Sequence, residues 1–398
     1  MKKSLSLVIS GDFLSRGITA FTGLVLIRTM EIPQFAIYVL IAGTASMIVG
    51  ALTSAFGTVF IVGHAEMKLQ ERGLEFLVIQ LLLALALALV ALFFSDFFSG
   101  LAWLVGILLV FGVAAEFVRN FERQRLDFAA FAAFNLARTV LFLVAVATLA
   151  IFLPDQLTAI NVCIAQSAAA ALTSFHLVKW FKKKIKLEVI AEIIKLIWKD
   201  QLSFFLYVLV MAGLSQIDII LLKLWSNESQ IATFGSAFRY YSLVVAILAG
   251  VNSVLLPHLP SITNADDMRR IIGNASKVLI AGIPLVGICA ALAPWLLPLV
   301  DKGKFPDSIP TFQILCISAS ISLALSPYAN ILFVRKKFRL LLVTVVLGLI
   351  CNLVLNSILI PSYGAIGAAL TISIIGGAMN IFFFVRARQA IGEIQCAR

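Results

Sequence analysis

Charge is what this chain has least of. Only 13% of its 398 residues are Asp, Glu, Lys or Arg, against 61% that are hydrophobic, whereas a soluble domain carries about a quarter charged residues. Too few polar groups remain to cover a water-facing surface, which rules out a soluble enzyme or binding module. Histidine is scarcer still: His64, His176 and His258 fall near the ends of apolar stretches and form no H-E-x-x-H or paired spacing, so no metal site is expected. Cys163, Cys289, Cys316 and Cys351 stand singly within apolar segments and Cys396 in the terminal tail, a spacing that builds neither a disulfide framework nor a metal site. The Gly-rich loop ending in Lys-Ser/Thr that cradles nucleotide phosphates is missing, so ATP hydrolysis is not expected. Nor are there clustered acids near a membrane face, or an extramembrane domain, to serve a glycosyl or phosphoryl transferase. The chain is read as a non-enzyme without cofactors. Strict apolar/polar alternation is also lacking, which argues against a membrane β-barrel.

What is present is hydrophobic run after hydrophobic run, with a mean hydropathy of +1.05. At about 20 residues per crossing there is room for roughly twelve helices. The spans centre on residues 5–27, 35–61, 73–94, 101–118, 128–153, 157–178, 201–222, 231–256, 274–299, 311–333, 338–360 and 364–385. The fold class is an all-α membrane protein. The opening MKKSLSLVISGDFLSRG has two lysines like a signal peptide, but Asp12 and Arg16 interrupt its apolar part and no cleavage site follows, so it reads as an uncleaved first helix. Of the 31 Lys and Arg residues, 24 fall in segments on one side of the membrane and four (Arg28, Lys223, Lys302, Lys304) on the other. The positive-inside rule then puts both termini in the cytoplasm. Topology accounts for most of the net charge of +11, and no nucleic-acid partner is needed.

The one long polar segment, Lys179 to Asp200, holds seven lysines and turns amphipathic in its second part. Leu187, Ile190, Ile194 and Ile197 make one face and Glu188, Glu192, Lys195 and Lys199 the other, which predicts an interfacial helix whose lysines meet anionic lipid headgroups. The segment divides the chain into 1–178, an N-terminal six-helix lobe; 179–200, the linker helix; and 201–398, a C-terminal six-helix lobe. The lobes match weakly as a repeat. Gln34-Phe35-Ala36-Ile37-Tyr38 opens the second span and Gln230-Ile231-Ala232-Thr233-Phe234 the eighth, and Phe60 to His64 and Val254 to His258 also correspond.

Three arginines lie within spans: Arg16, Arg138 and Arg239. A guanidinium in hydrocarbon needs a counter-charge, water or an anionic cargo, so these mark a transport pathway for something negative. Asp12 lies one turn before Arg16 and can partly neutralise it. Asp218, in LSQIDIILL, is a candidate coupling acid or a structural partner of Arg239 or Lys223. Arg239 is followed by Tyr240 and Tyr241, aromatic neighbours suited to sugar stacking, and Arg138 follows Asn135 by about one turn. Glu116 and Arg119 read as snorkelling residues at a span end, and Asn352 and Asn356 as interhelical glue. Pro284, Pro294 and Pro327 are expected to break helices of the second half.

At these residues the sequence resembles the Wzx-type O-antigen or oligosaccharide flippases, the polysaccharide-transporter branch of the multidrug/oligosaccharidyl-lipid/polysaccharide (MOP, MATE-like) exporter superfamily. The resemblance rests on FLSRGITAFTGLVLIRTM followed by FAIY, on EFVRNFERQRLDFAAFAAFNLARTVLFLVA, and on IDIILL followed by ATFGSAFR. Where the family usually has glycine this chain has Ala36 and Ala232, the same departure in both halves. The resemblance implies two six-helix bundles in a V around a cation-lined cavity in a bacterial inner membrane. It implies a cargo of oligosaccharide on undecaprenyl pyrophosphate, an O-antigen, lipopolysaccharide or capsule repeat unit, held by Arg16, Arg239, Arg138 and Tyr240. It further implies antiport of protons or sodium through Asp12 or Asp218, and cooperation with polysaccharide polymerase machinery. The alternatives are a MATE-like multidrug or cation exporter, for which a net acidic cavity is expected, and a scaffold or polymerase subunit, for which a large outer loop is expected.

Overall fold

The structure is a computed structural model that describes residues 2–62, 72–124, 128–175, 177, 185–255 and 265–396. His64, His176 and His258 lie outside the described residues, and so does the side chain of Asp12. Among the described residues all regular structure is helical. The first compact unit is Met1–Lys223. It contains α1 (Lys2–Thr29), α2 (Ile32–Val62), α3 (Gly73–Phe93), α4 (Ala102–Gln124), α5 (Phe128–Phe152), α6 (Ala159–Ser174), the linker helix α7 (Leu187–Leu196) and α8 (Leu202–Leu214). The helix α9 (Ile217–Trp225) follows at the unit's end. The second unit, Leu224–Arg398, holds α10 (Glu228–Leu255), α11 (Ala265–Ile280), α12 (Ile283–Asp301), α13 (Ser308–Val334) and α14 (Phe338–Cys396).

Seven of these stretches are long and apolar enough to cross a bilayer, or eight if the bent pair α8 and α9 makes one span. Two of the expected spans run together as α14, whose two parts meet at a break at Gly364 (φ 53°, ψ −126°), a conformation open to glycine. The expected seventh span is broken by 46° at Ser215 and Gln216. The expected ninth is two helices, an amphipathic α11 and an apolar α12 meeting at Gly282. Pro284 begins α12 rather than interrupting it, a position that tolerates the missing N–H, while Pro294 and Pro327 do lie inside helices. Large apolar side chains such as Phe93, Phe152 and Leu299 point outward, as lipid-facing surface requires.

In the first unit α1 lies along α5, α4 is packed by α2, α3, α5 and α6, and α2 also receives α8. Small residues set these distances: a Cβ on Gly11 would come within 2.8 Å of the Ala132 Cβ, and one on Gly43 within 2.8 Å of Ile219 Cδ1. Phe205 of α8 meets Phe56 of α2 edge-on at 5.1 Å. The broken seventh span thus packs with the first six, so the packing boundary falls at Lys223, whereas the division into 1–178, 179–200 and 201–398 follows the repeat. In the second unit α13 is the central helix, contacting α10, α11, α12 and α14. Polar stitches bind α14 to it: Ser373 donates to the Ile314 carbonyl at 3.0 Å and Asn380 to Ser322 Oγ at 3.2 Å.

One hydrogen bond occurs twice. Gln34, at the start of α2, accepts the backbone N–H of Ala159 at the start of α6 (2.9 Å), and Gln230, at the start of α10, accepts that of Ala365 just after the Gly364 break (2.8 Å). Both donors are first-turn groups without an intrahelical partner. The two glutamines are the residues that align in the sequence repeat, so the halves share a tertiary interaction as well as a pattern.

Of the apolar face expected on the linker helix, Ile197 packs on protein while Leu187 and Ile194 stay outward, and a second apolar strip is buried. Val189, Ile193 and Ile197 are buried, while Leu187 (78% exposed), Ile194 (52%) and Trp198 (72%) point outward. The helix has two apolar strips, and periodicity alone does not say which one meets protein. Arg72 and Glu192 fix the choice with a 2.6 Å ion pair that ties α7 to the start of α3.

Candidate functional site

An ion-paired group of charges lies in the first unit where α4 and α5 meet. Glu116 of α4 uses both carboxylate oxygens on guanidinium groups: Oε2 takes Arg119 at 2.7 Å, one turn further along α4, and Oε1 takes Arg138 of α5 at 3.0 Å. The other fork nitrogen of Arg138, Nη2, is 3.5 Å from Asn135 Oδ1, a long contact beside the 2.7–3.2 Å usual for such a bond. The charge of Arg16, on α1, also acts on Glu116. Three guanidinium groups therefore bear on one carboxylate. The side chains of Glu116, Arg138 and Arg119 are 15%, 23% and 30% exposed, while Arg16 is exposed. Arg119 Nε is buried without a hydrogen-bond partner among the described residues.

Glu116 and Arg119, expected as snorkelling residues at a span end, lie in the second half of α4 and are ion-paired to each other. They belong to a charge network with Arg138, and the acid that holds Arg138 is one that local spacing accounts for in another way. Position along α4 hides this, because an acid near a span end has an adequate local explanation and only the α4–α5 packing puts it against Arg138.

Asp218 is 1% exposed on α9, within a helix whose Ile219, Leu221 and Leu222 are also buried. Arg239 lies half-buried on α10 and belongs to the second unit. Tyr240 and Tyr241 turn into that unit's apolar cluster, with Tyr240 edge-on to Phe312 at 6.0 Å between ring centres. The hydroxyls of Tyr240 and Ser236 are near neighbours, but neither makes a well-formed hydrogen bond to a described group. In the same unit Asp301, buried at the end of α12, accepts the Gly303 N–H at 2.8 Å and closes the turn made by Lys302 and Gly303 at positive φ. Asn356 donates to Asn352 at 2.9 Å along one face of α14, so this pair bonds within its own helix. Among the described residues no three His, Cys, Asp or Glu side chains converge to hold a metal ion.

No protein-family model matches the sequence, and no curated protein matches it either. Solved structures do. The lipid II flippase MurJ in an inward closed conformation superposes with a TM-score of 0.76 at 14% identity, covering 96% of this chain and 87% of that one. An inward-facing multidrug resistance MATE family transporter of the MOP superfamily gives a TM-score of 0.62 at 16% identity, covering 99% and 96%. A MATE transporter in complex with MaL6 gives 0.65 at 16% identity, covering 99% and 97%. Identities this low speak to the fold alone: the chain is an all-α, multi-pass membrane protein that shares its fold with the lipid II flippase and the MATE transporters.

Proposed function

We propose that the protein is a flippase that carries an undecaprenyl-pyrophosphate-linked oligosaccharide, an O-antigen or capsule repeat unit, across the bacterial inner membrane by ion-coupled alternating access. The observation that carries this reading is the cluster of Arg16, Arg119 and Arg138 around the single carboxylate of Glu116. Guanidinium groups that outnumber the carboxylates among the described side chains suit a phosphate-bearing ligand, which they can grip in bidentate fashion. A cation exporter is better served by an excess of acids. The likeness to a lipid II flippase, over nearly the whole chain, supports the same choice.

In this reading Arg16 and Arg138 meet the pyrophosphate or acidic sugars, and Arg239 serves in the same way in the second unit. Tyr240 holds the helix that carries Arg239. Asp12 and Asp218 are the candidates for proton or sodium coupling, and the lipid tail stays among membrane lipids. A multidrug exporter is the second reading, favoured by the several MATE transporters with the same fold. Analysis of lipid-linked sugars in a deletion strain tests the first. A flippase leaves an undecaprenyl-linked oligosaccharide on the cytoplasmic side and no surface glycan, whereas unchanged glycan with new sensitivity to cationic drugs selects the second.

A further inference from the structure

The ion-pair geometry around Glu116 is lopsided. Its bond to Arg119 is the shorter, 2.7 Å, and lies within α4, while the bond to Arg138 crosses to α5 and is 3.0 Å. Arg138 gives Glu116 only one fork nitrogen and leaves the other at 3.5 Å from Asn135 Oδ1. A guanidinium in this state is bound below its capacity, since a phosphate or carboxylate that engaged both nitrogens would make two charge-assisted bonds in place of one. If Glu116 let go of Arg138 it would keep Arg119, so the exchange leaves no bare carboxylate in a sheltered place, which is the outcome that makes breaking such pairs expensive.

We propose that Glu116 is a built-in competitor for the arginine cluster, occupying Arg138 until a phosphate-bearing ligand displaces it, with protonation of Glu116 favouring the exchange. The inference rests on the anionic-cargo reading above and adds to it a residue that couples cargo to protons. The charged groups acting on Glu116 are Arg119 on its own helix, Arg138 on α5 and Arg16 on α1; of the other helices packed on α4, α2 and α6 carry no Asp, Glu, Lys or Arg and α3 carries Glu75. Guanidinium groups in general keep their proton at any pH at which proteins work, so the proton of interest belongs to the carboxylate. The sign follows by linkage: neutral Glu116 no longer competes, so the anion binds more tightly as pH falls, and anion binding draws in a proton.

Binding of inorganic pyrophosphate to the full-length protein in lipid nanodiscs tests this, with wild type, Glu116→Gln and Arg138→Gln compared from pH 3.5 to pH 8. Relative to wild type, Glu116→Gln should bind about tenfold more tightly at high pH, about 1.4 kcal/mol by the usual conversion, and the two should converge at low pH. Comparing variants at each pH cancels the titration of pyrophosphate itself. Glu116→Gln that binds equally or more weakly at high pH, or a ratio that ignores pH, overturns the competitor role and leaves a plain structural bridge. Failure of wild type and Glu116→Gln alike to bind, or undiminished binding by Arg138→Gln, overturns the anionic-cargo reading and this inference with it. Calorimetry on the wild type, in buffers of different ionisation enthalpy, decides the matter even if Glu116→Gln does not fold: proton uptake beyond the ligand's own is expected, and none overturns the proposal.

Discussion

Removing the acceptor of Gln230 or of Gln34 should destabilise the unit that contains it, and the size of the effect follows from the geometry. The donors, Ala365 N–H and Ala159 N–H, belong to residues that are 0% exposed. Each stands at a helix start, where no carbonyl of its own helix can reach it, and each is met by a glutamine Oε1 at 2.8 and 2.9 Å. Truncation to alanine leaves a buried N–H bare, at a cost of about 1–3 kcal/mol. For units of about 200 residues, each kcal/mol lowers the melting temperature by about 2–4 °C, so Gln34→Ala and Gln230→Ala should each melt about 2–12 °C early. Intrinsic tryptophan fluorescence of the purified protein during a temperature ramp measures this directly. If both variants melt within about 1 °C of the wild type, the caps contribute little and the repeated hydrogen bond is an accident of geometry.

Gly364→Ala should be worse than Gln230→Ala, because a Cβ at φ 53° is strained and would also strike the Gln230 side chain that caps Ala365; equal melting of the two variants would contradict this. Gly43→Leu should force α2 away from Ile219 and lose about 1–3 kcal/mol, read as a lower melting temperature, whereas a neutral result would mean the seam is loose. Arg72→Ala should change stability by less than about 1 kcal/mol despite its short ion pair, because both partners are partly exposed, while Ile193→Ala, truncating the buried strip of α7, should cost about 2–5 kcal/mol. Arg138→Ala should abolish surface glycan in a producing strain with the protein still inserted, and Arg138→Lys should restore only part of it, since Lys lacks the planar fork; full activity of the alanine variant would remove Arg138 from the site.

Much of the fold is legible in the sequence because a bilayer imposes length and apolarity on every crossing. The expected spans 73–94 and 128–153 fall close to α3 and α5. What composition does not supply is the bend within a crossing. Ser215 and Gln216 look like ordinary polar residues in an apolar run, yet they mark the 46° break between α8 and α9. The break at Gly364 is just as quiet, since one glycine in an apolar run is common in membrane helices. The Gln34 and Gln230 alignment is visible as a pattern, but its reason, an acceptor for another helix's first N–H, needs the partners at Ala159 and Ala365. The role of Glu116 escapes a linear reading because side-chain partners on another helix leave no trace in local spacing. The linker helix is recognisably amphipathic, but which strip it packs is not, since Leu187 and Ile193 are both strongly apolar and only contact tells them apart.

The docking of α8 and α9 on α2 has a consequence for how the protein is made. While the chain is being threaded into the bilayer, the side of α2 that will receive Phe205 and Ile219 stays bare until those residues leave the ribosome. The first six helices must wait in lipid for a seventh. A gene cut at residue 200 would leave that side of α2 open in one piece and strand the broken helix in the other.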